Sequence, residues 1–230
     1  PKPFSHPDFK RSLKQLNGEV LAKRHLLEDP FEYRGIREYQ PQDDLKSINW
    51  KATARTGEFK VNQKNYTAEK SVRIFINLED TGILKKEDCV EASLQIATAL
   101  LLLFLEQGMQ VAVYCNGVDV LHNEPCILEA GGGIRQREAV LRSFALIDTS
   151  KPVRSFSELF SSRLSEASGA LMTCIVSPNA YDDFASLILQ YHTRHPDMKW
   201  FLPYSGTVPP EMEEELRSLI TFISLREESV

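Results

Sequence analysis

From residue 72 onward, short apolar runs rich in β-branched residues alternate with stretches of helical period, and this alternation leaves few folds open. Residues 72–78 (VRIFINL), 110–115 (QVAVYC) and 170–176 have strand length and are predominantly apolar. Residues 85–108 read as a long helix closed by Gly108, and residues 134–147 as a second. A third helix opens at a capping box, Ser155 to Glu158, and carries Phe156, Leu159, Phe160 and Leu164 at i, i+3, i+4 and i+8. Tyr181, Phe184, Ile188 and Tyr191 mark a fourth. Residues 200–202 and 220–225 are further strands, with a brief acidic helix from Pro209 between them. Strands apolar on both sides need cover on both sides, which helices flanking a parallel sheet provide. Asn116-Gly117 predicts a two-residue hairpin that returns residues 118–122 as one antiparallel edge strand. The expected domain is α/β: a doubly wound, mostly parallel six-stranded sheet with right-handed crossovers.

Residues 1–70 break this rhythm. Residues 9–16 suggest a short helix, and 19–22 and 36–39 two strands. Asp43 and Asp44 are placed to cap a helix running through Ala54, with Gly57 as its stop. Residues 58–63 alternate around Phe59 and Val61 as a half-buried strand does. The expected organisation is an N-terminal α+β extension over 1–70, packed on a main domain over 71–230.

Charge divides at the same boundary. Residues 1–70 carry 14 Lys/Arg against 10 Asp/Glu, and residues 71–230 carry 13 against 22. Two pieces of opposite sign docking on each other, a composite face of separate patches, or plain solvated charge would each produce this pattern. The overall net charge of −5 gives no reason to expect nucleic-acid binding. The four cysteines, Cys89, Cys115, Cys126 and Cys174, lack C-x-x-C or zinc spacing, which points to reduced core thiols and a cytoplasmic setting. The longest apolar run, 96–105, is ten residues, against the roughly 20 that a spanning helix needs. No membrane span or signal peptide is expected in these residues.

Chemical motifs are sparse. G-x-S-x-G, G-x-x-x-x-G-K-[ST] and G-x-G-x-x-G do not occur, and Gly131–Gly133 reads as a turn. His192 and His195 form H-x-x-H at a helix end without a third ligand at suitable spacing.

The most distinctive stretch runs YRGIREYQPQDDLKSINWKATARTGE from Tyr33 to Glu58. Its Arg37, Tyr39, Pro41, Asp43, Asp44, Ile48, Asn49, Trp50, Lys51, Ala52, Ala54, Arg55, Thr56 and Gly57 follow the pattern R-x-Y-x-P-G-D-D-x-R-x-I-N-W-K-A-S-A-R-T-G. Gln42, Lys46 and Thr53 depart from it. This stretch resembles the bacterial family catalogued as domain of unknown function fifty-eight. The resemblance implies a von Willebrand factor A-like domain after the signature. It also implies a working partner among MoxR-type AAA+ ATPases and, in many members, membrane helices upstream of the region seen here. Such helices would place the chain on the cytoplasmic face of the membrane. Within the signature, Arg37, Lys51 and Arg55 are expected to pair with Asp43, Asp44 and Glu58. Trp50 is expected to be the apolar anchor, buried between extension and sheet. The signature is then a clamp, a docking surface, or both.

Von Willebrand factor A domains often hold Mg²⁺ through D-x-S-x-S after their first strand, with a later Thr and Asp. The matching positions here are Asn77, Glu79, Thr81 and Ser177, which implies a degenerate site and no cofactor. The expected function is a non-catalytic protein-interaction module, an adaptor or assembly factor for a MoxR-type ATPase. Its docking face would comprise Glu79, Asp80, Tyr181, Asp182 and Asp183. The alternative is a metal-assisted hydrolase or transferase using Asp43, Asp44, Glu79 and Asp80. Convergence of Asp43 and Asp44 on Glu79 would favour the enzyme.

Overall fold

Alternation along each strand sorts the apolar side chains onto two faces, and helices cover both. The computed structural model describes residues 2–27, 33–40, 48–64, 71–79, 87–165 and 170–226. Among them the order is α1 (Pro7–Leu27), β1 (Tyr33–Glu38), α2 (Trp50–Thr56), β2 (Lys60–Lys64), β3 (Ser71–Ile76), α3 (Glu87–Glu106), β4 (Gln110–Val118) and β5 (Pro125–Gly131). It continues with α4 (Gly133–Leu146), α5 (Phe156–Ser165), β6 (Met172–Val176), α6 (Asp182–His192), β7 (Met198–Tyr204), α7 (Glu214–Arg217) and β8 (Ile220–Ser224).

Six strands form the main sheet in the order β5-β4-β3-β6-β7-β8. Every pairing is parallel except that of edge strand β5 with β4. Val72, Ile74 and Ile76 of β3 join Val111, Val113 and Cys115 of β4 in a core closed by α1, α3 and α4. Phe75, Tyr114, Ile175, Trp200 and Leu202 face the other way, against α5, α6 and α7. A mixed α/β fold with a six-stranded, mostly parallel sheet is therefore present, as the alternation predicts.

The edge strand arrives by a different route. β4 continues through Asn116-Gly117, both buried, with a register shift against β5 between Cys115 and Val118, and the reversal falls between Asp119 and Pro125. A Cβ on Gly117 would lie 2.7 Å from the Leu78 side chain and 3.0 Å from that of Ile147, so the glycine permits close packing. The turn itself is built by Asp119, whose Oδ1 accepts from the N–H groups of Leu121 (2.7 Å) and His122 (2.5 Å). Those bonds, His122 first, hold the Asp119 carboxyl below its ordinary value. Residues 118–122 are thus strand end and turn, and the predicted hairpin at 116–117 is overturned.

The N-terminal region also differs from its expectation. Phe9, Leu13, Leu16 and Val20 recur at +4, +3 and +4, which is one stripe of one helix, and α1 runs unbroken for 21 residues. The expected strand at 19–22 lies inside it. The Phe9 ring meets Phe201 edge to face at 6.2 Å, Glu19 pairs with Lys199 at 3.4 Å, and Lys23 pairs with Asp197. β1 and β2 pair with each other in a separate antiparallel sheet, with α2 between them in sequence. One described helix, α3, is long and apolar enough to cross a membrane by length and composition. Here it lies in the core, its apolar sides against β3, α1 and α4.

Candidate functional site

The strand order reverses between β3 and β6, and in open α/β sheets the crevice beyond the carboxyl ends at that point is where ligands bind. Four polar side chains gather there. Asn77, Asn116 and Ser177 are fully buried, and Asn179 is nearly so.

Asn77 leaves the end of β3, its backbone N–H bonded to Val176 O. Its Oδ1 accepts from Glu79 N–H at 2.9 Å and from Asn116 Nδ2 at 2.9 Å. Asn116 Oδ1 accepts from Leu78 N–H at 2.8 Å, and its Nδ2 also donates to Arg154 O at 3.1 Å. Backbone donors therefore fix both amide orientations, since turning either one would set N–H against N–H. Among the described residues, Asn77 Nδ2 is buried without a hydrogen-bond partner. Glu79 reaches over and accepts from Phe156 N–H at 2.8 Å, capping the start of α5. Ser155 caps the same helix more loosely, its Oγ 3.4 Å from Glu158 N. On the β6 side, Ser177 Oγ accepts from Asn179 N–H (3.1 Å) and Asn179 Oδ1 from Tyr181 N–H (3.0 Å). Trp200 Nε1 donates to Ser177 O at 3.2 Å.

The described part of this site does not fit a hard divalent cation. Such ions need several oxygen ligands, among them a carboxylate. Asn77 Oδ1, Glu79 Oε1 and Ser177 Oγ each accept from an N–H donor, and Asn77 adds an N–H pair where a carboxylate is needed. Among the described residues no group of three His, Cys, Asp or Glu is arranged to hold a metal. Asp43, Asp44, Asp80 and Thr81 lie outside the described residues.

Beside the network lies a cavity of about 690 Å³. Leu78, Val90, Pro152 and Val153 give it apolar walls; Glu79, Glu87, Asp88 and Glu91 line it with carboxylates, against Lys151. Farther along the same edge, Tyr181 is exposed, and Asp182 and Asp183 are exposed in the first turn of α6.

The signature stretch is built differently from its expectation. Asn49 caps α2 by accepting from Ala52 N–H at 2.9 Å, and Gly57 ends it at φ 77°. Thr53 Oγ1 accepts from Lys60 N–H at 3.1 Å, and Tyr39 N–H donates to Phe59 O at 2.9 Å, tying α2 and β1 to β2. Ile48 and Val61 fill the interior of this unit. Trp50 is 66% exposed, so the expectation of a buried anchor is overturned; α2 contributes no buried residue at all. Lys51 and Arg55 are exposed on the same helix. Arg37 Nη1 donates to Glu38 O at 2.9 Å, and Glu58 pairs with Lys60 at 3.1 Å.

A family model described as protein of unknown function DUF58 matches residues 35–171, from inside β1 to the residue before β6. The chain belongs to this family. The match takes in the pattern from Arg37 to Gly57 together with Asn77, Glu79 and Asn116. Among curated proteins, none matches the chain.

Asn116 and Asn179 are site residues that the motif reading passed over. Asn116-Gly117 carries the strongest short hairpin signal, which masked its inward role. The signal for Asn179 is its place two residues before Tyr181, the cap residue of α6, where an Asx turn is common.

Proposed function

We propose that the chain is a non-catalytic protein-interaction module that docks partners on the carboxyl edge of its sheet. It serves as an adaptor or assembly factor with a MoxR-type AAA+ ATPase. One observation carries this reading: the polar side chains at the switch point are committed to holding strand ends and the start of α5. That makes the edge a rigid platform, where a catalytic centre needs free acid, base or nucleophile groups within reach of one another. The strand order, with an antiparallel edge strand and an apolar parallel centre, supports a von Willebrand factor A-like classification whose metal site has been replaced by amides. The chain works in the cytoplasm or on the cytoplasmic face of a membrane. Asp182 and Asp183 ask for a basic contact on the partner, steered by charge and weakened by salt.

Biolayer interferometry of the full chain against a purified MoxR-type ATPase, loaded with a slowly hydrolysed nucleotide, tests this. The expected result is binding whose association rate falls several-fold with Asp182→Lys/Asp183→Lys, while the melting temperature hardly moves. Failure to bind at any salt concentration, or binding indifferent to the reversal, would overturn it.

A further inference from the structure

We infer that the chain self-associates head to tail, the Trp50–Lys51 corner of one copy entering the acidic cavity beside Glu79 in the next. The inference rests on reading that edge as a protein-docking surface, and it names a second copy of this chain as an occupant.

The projecting half is preassembled. Trp50 and Phe59 meet edge to face at 6.4 Å, and Tyr39 lies 6.1 Å from Phe59. Trp50, Phe59 (55%) and Ile36 (53%) are exposed while Ile48 and Val61 fill the interior, so the aromatic cluster is surplus to the core of its unit. Exposed apolar patches with a polar rim mark interaction sites, and clustered aromatics supply large contact area at little entropic cost. The rim is cationic. Lys51 and Arg55 share a face of α2 at i and i+4, and the described residues of the unit hold six Lys/Arg against two Asp/Glu. Both of those acids, Glu38 and Glu58, already pair with Lys60.

The receiving half has the complementary chemistry. The cavity of about 690 Å³ lies within the usual size range of small-molecule pockets, so an indole and a lysine stem fit inside it. Leu78, Val90 and Val153 suit the ring; Glu87, Asp88 and Glu91 suit the cations beside it. Within one chain Trp50 is exposed and the cavity is open, so the two halves do not satisfy each other in the same copy. Joining them between copies is a heterologous contact, which propagates into rings or filaments.

Sedimentation of the full chain over about 1–100 μM, the range of moderate affinities, reads the association directly. The average mass should rise with concentration and fall with added salt. Trp50→Ala should weaken association by at least about 30-fold, as a central aromatic anchor does. Two variants then isolate the geometry: Trp50→Ala/Lys51→Glu removes the projecting half, and Glu87→Lys/Glu91→Lys removes the cavity's charge. Each should be monomeric and melt close to wild type, and an equimolar mixture should give a heterodimer that grows no further, because only one competent pair of surfaces remains. A monomeric wild type, full association by Trp50→Ala, or failure of the two variants to pair would overturn the inference. If ATPase binding still responds to reversal of Asp182 and Asp183, the inference falls alone; if it does not, the docking-edge reading falls as well.

Discussion

Replacing Asn116 tests whether the amide network holds the carboxyl edge together. Its side chain satisfies Leu78 N–H and Arg154 C=O and orients Asn77, joining the ends of β3 and β4 to the segment that leads into α5. In Asn116→Ala the Leu78 donor and the Arg154 acceptor lose their partners, while Asn77 Oδ1 keeps Glu79 N–H. At about 1–3 kcal/mol for the buried Leu78 N–H and less for the part-buried Arg154 C=O, the loss should be about 3 kcal/mol. For a chain of this length that lowers the melting temperature by roughly 6–12 °C. Asn116→Asp keeps the volume and the acceptor for Leu78, but turns its second oxygen toward Asn77 Oδ1 and Arg154 O, both acceptors. A buried carboxylate so placed favours its protonated form, and its pKa rises above the usual carboxylate range. The folded state then binds the proton more tightly than the unfolded state does. The Asp variant should therefore recover stability relative to wild type as pH falls from about 7 toward 4. Urea unfolding followed by far-ultraviolet circular dichroism at several pH values measures both effects. An Ala variant within about 1 kcal/mol of wild type, or an Asp variant without relative recovery in acid, would refute the reasoning.

Two further outcomes follow from the geometry. Burial, together with the hydrogen bond that Tyr114 donates to Glu129 Oε2 (3.0 Å), pushes the Tyr114 phenol up to about 12 from its ordinary 10. The contribution is whole below pH 10 and is lost as pH climbs toward 12; alkaline melting curves of Tyr114→Phe should show a shallower decline than wild type there. Adding 1 mM Mg²⁺ or Mn²⁺ should shift the melting temperature by less than about 1 °C, since a 10 μM site would add about 2.7 kcal/mol of stability at that concentration. A larger shift abolished by Glu79→Ala would restore the metal site.

Where local chemistry and tertiary packing agreed, the chain was legible. The parallel strands show as apolar runs because both of their faces are covered, and Gly57 and Gly108 stop their helices at φ 77° and 69° as glycines after a helix do. Reading failed where packing overrode a local preference. Asn-Gly favours a tight turn, yet here the amide is needed inward at the end of β3 and the missing Cβ makes room for Leu78. Residues 19–22 look strand-like in isolation, but the stripe from Phe9 to Val20 that makes them helical spans three turns. Trp50 shows that a large aromatic residue in a signature need not be a core residue; the volume it was expected to fill is taken by Ile48 and Val61. Of the site, Asn77, Glu79 and Ser177 come from the resemblance to the von Willebrand factor A metal pattern, not from the residues alone. The bonds that commit them to structure depend on partners as distant as Phe156, which no local pattern reveals.

The seat of α1 against Phe201, Lys199 and Asp197 sets a timetable for making the protein. The helix leaves the ribosome before the residues that receive it, which follow some 170–190 positions later. At about 5–20 residues per second the stripe of Phe9, Leu16 and Val20 waits roughly 10–40 s for its surface. Throughout that interval it is an amphipathic helix on a growing chain with its apolar stripe uncovered, a ready client for a nascent-chain chaperone. Late docking of α1 predicts that lesions at Phe9 hasten unfolding far more than they slow folding.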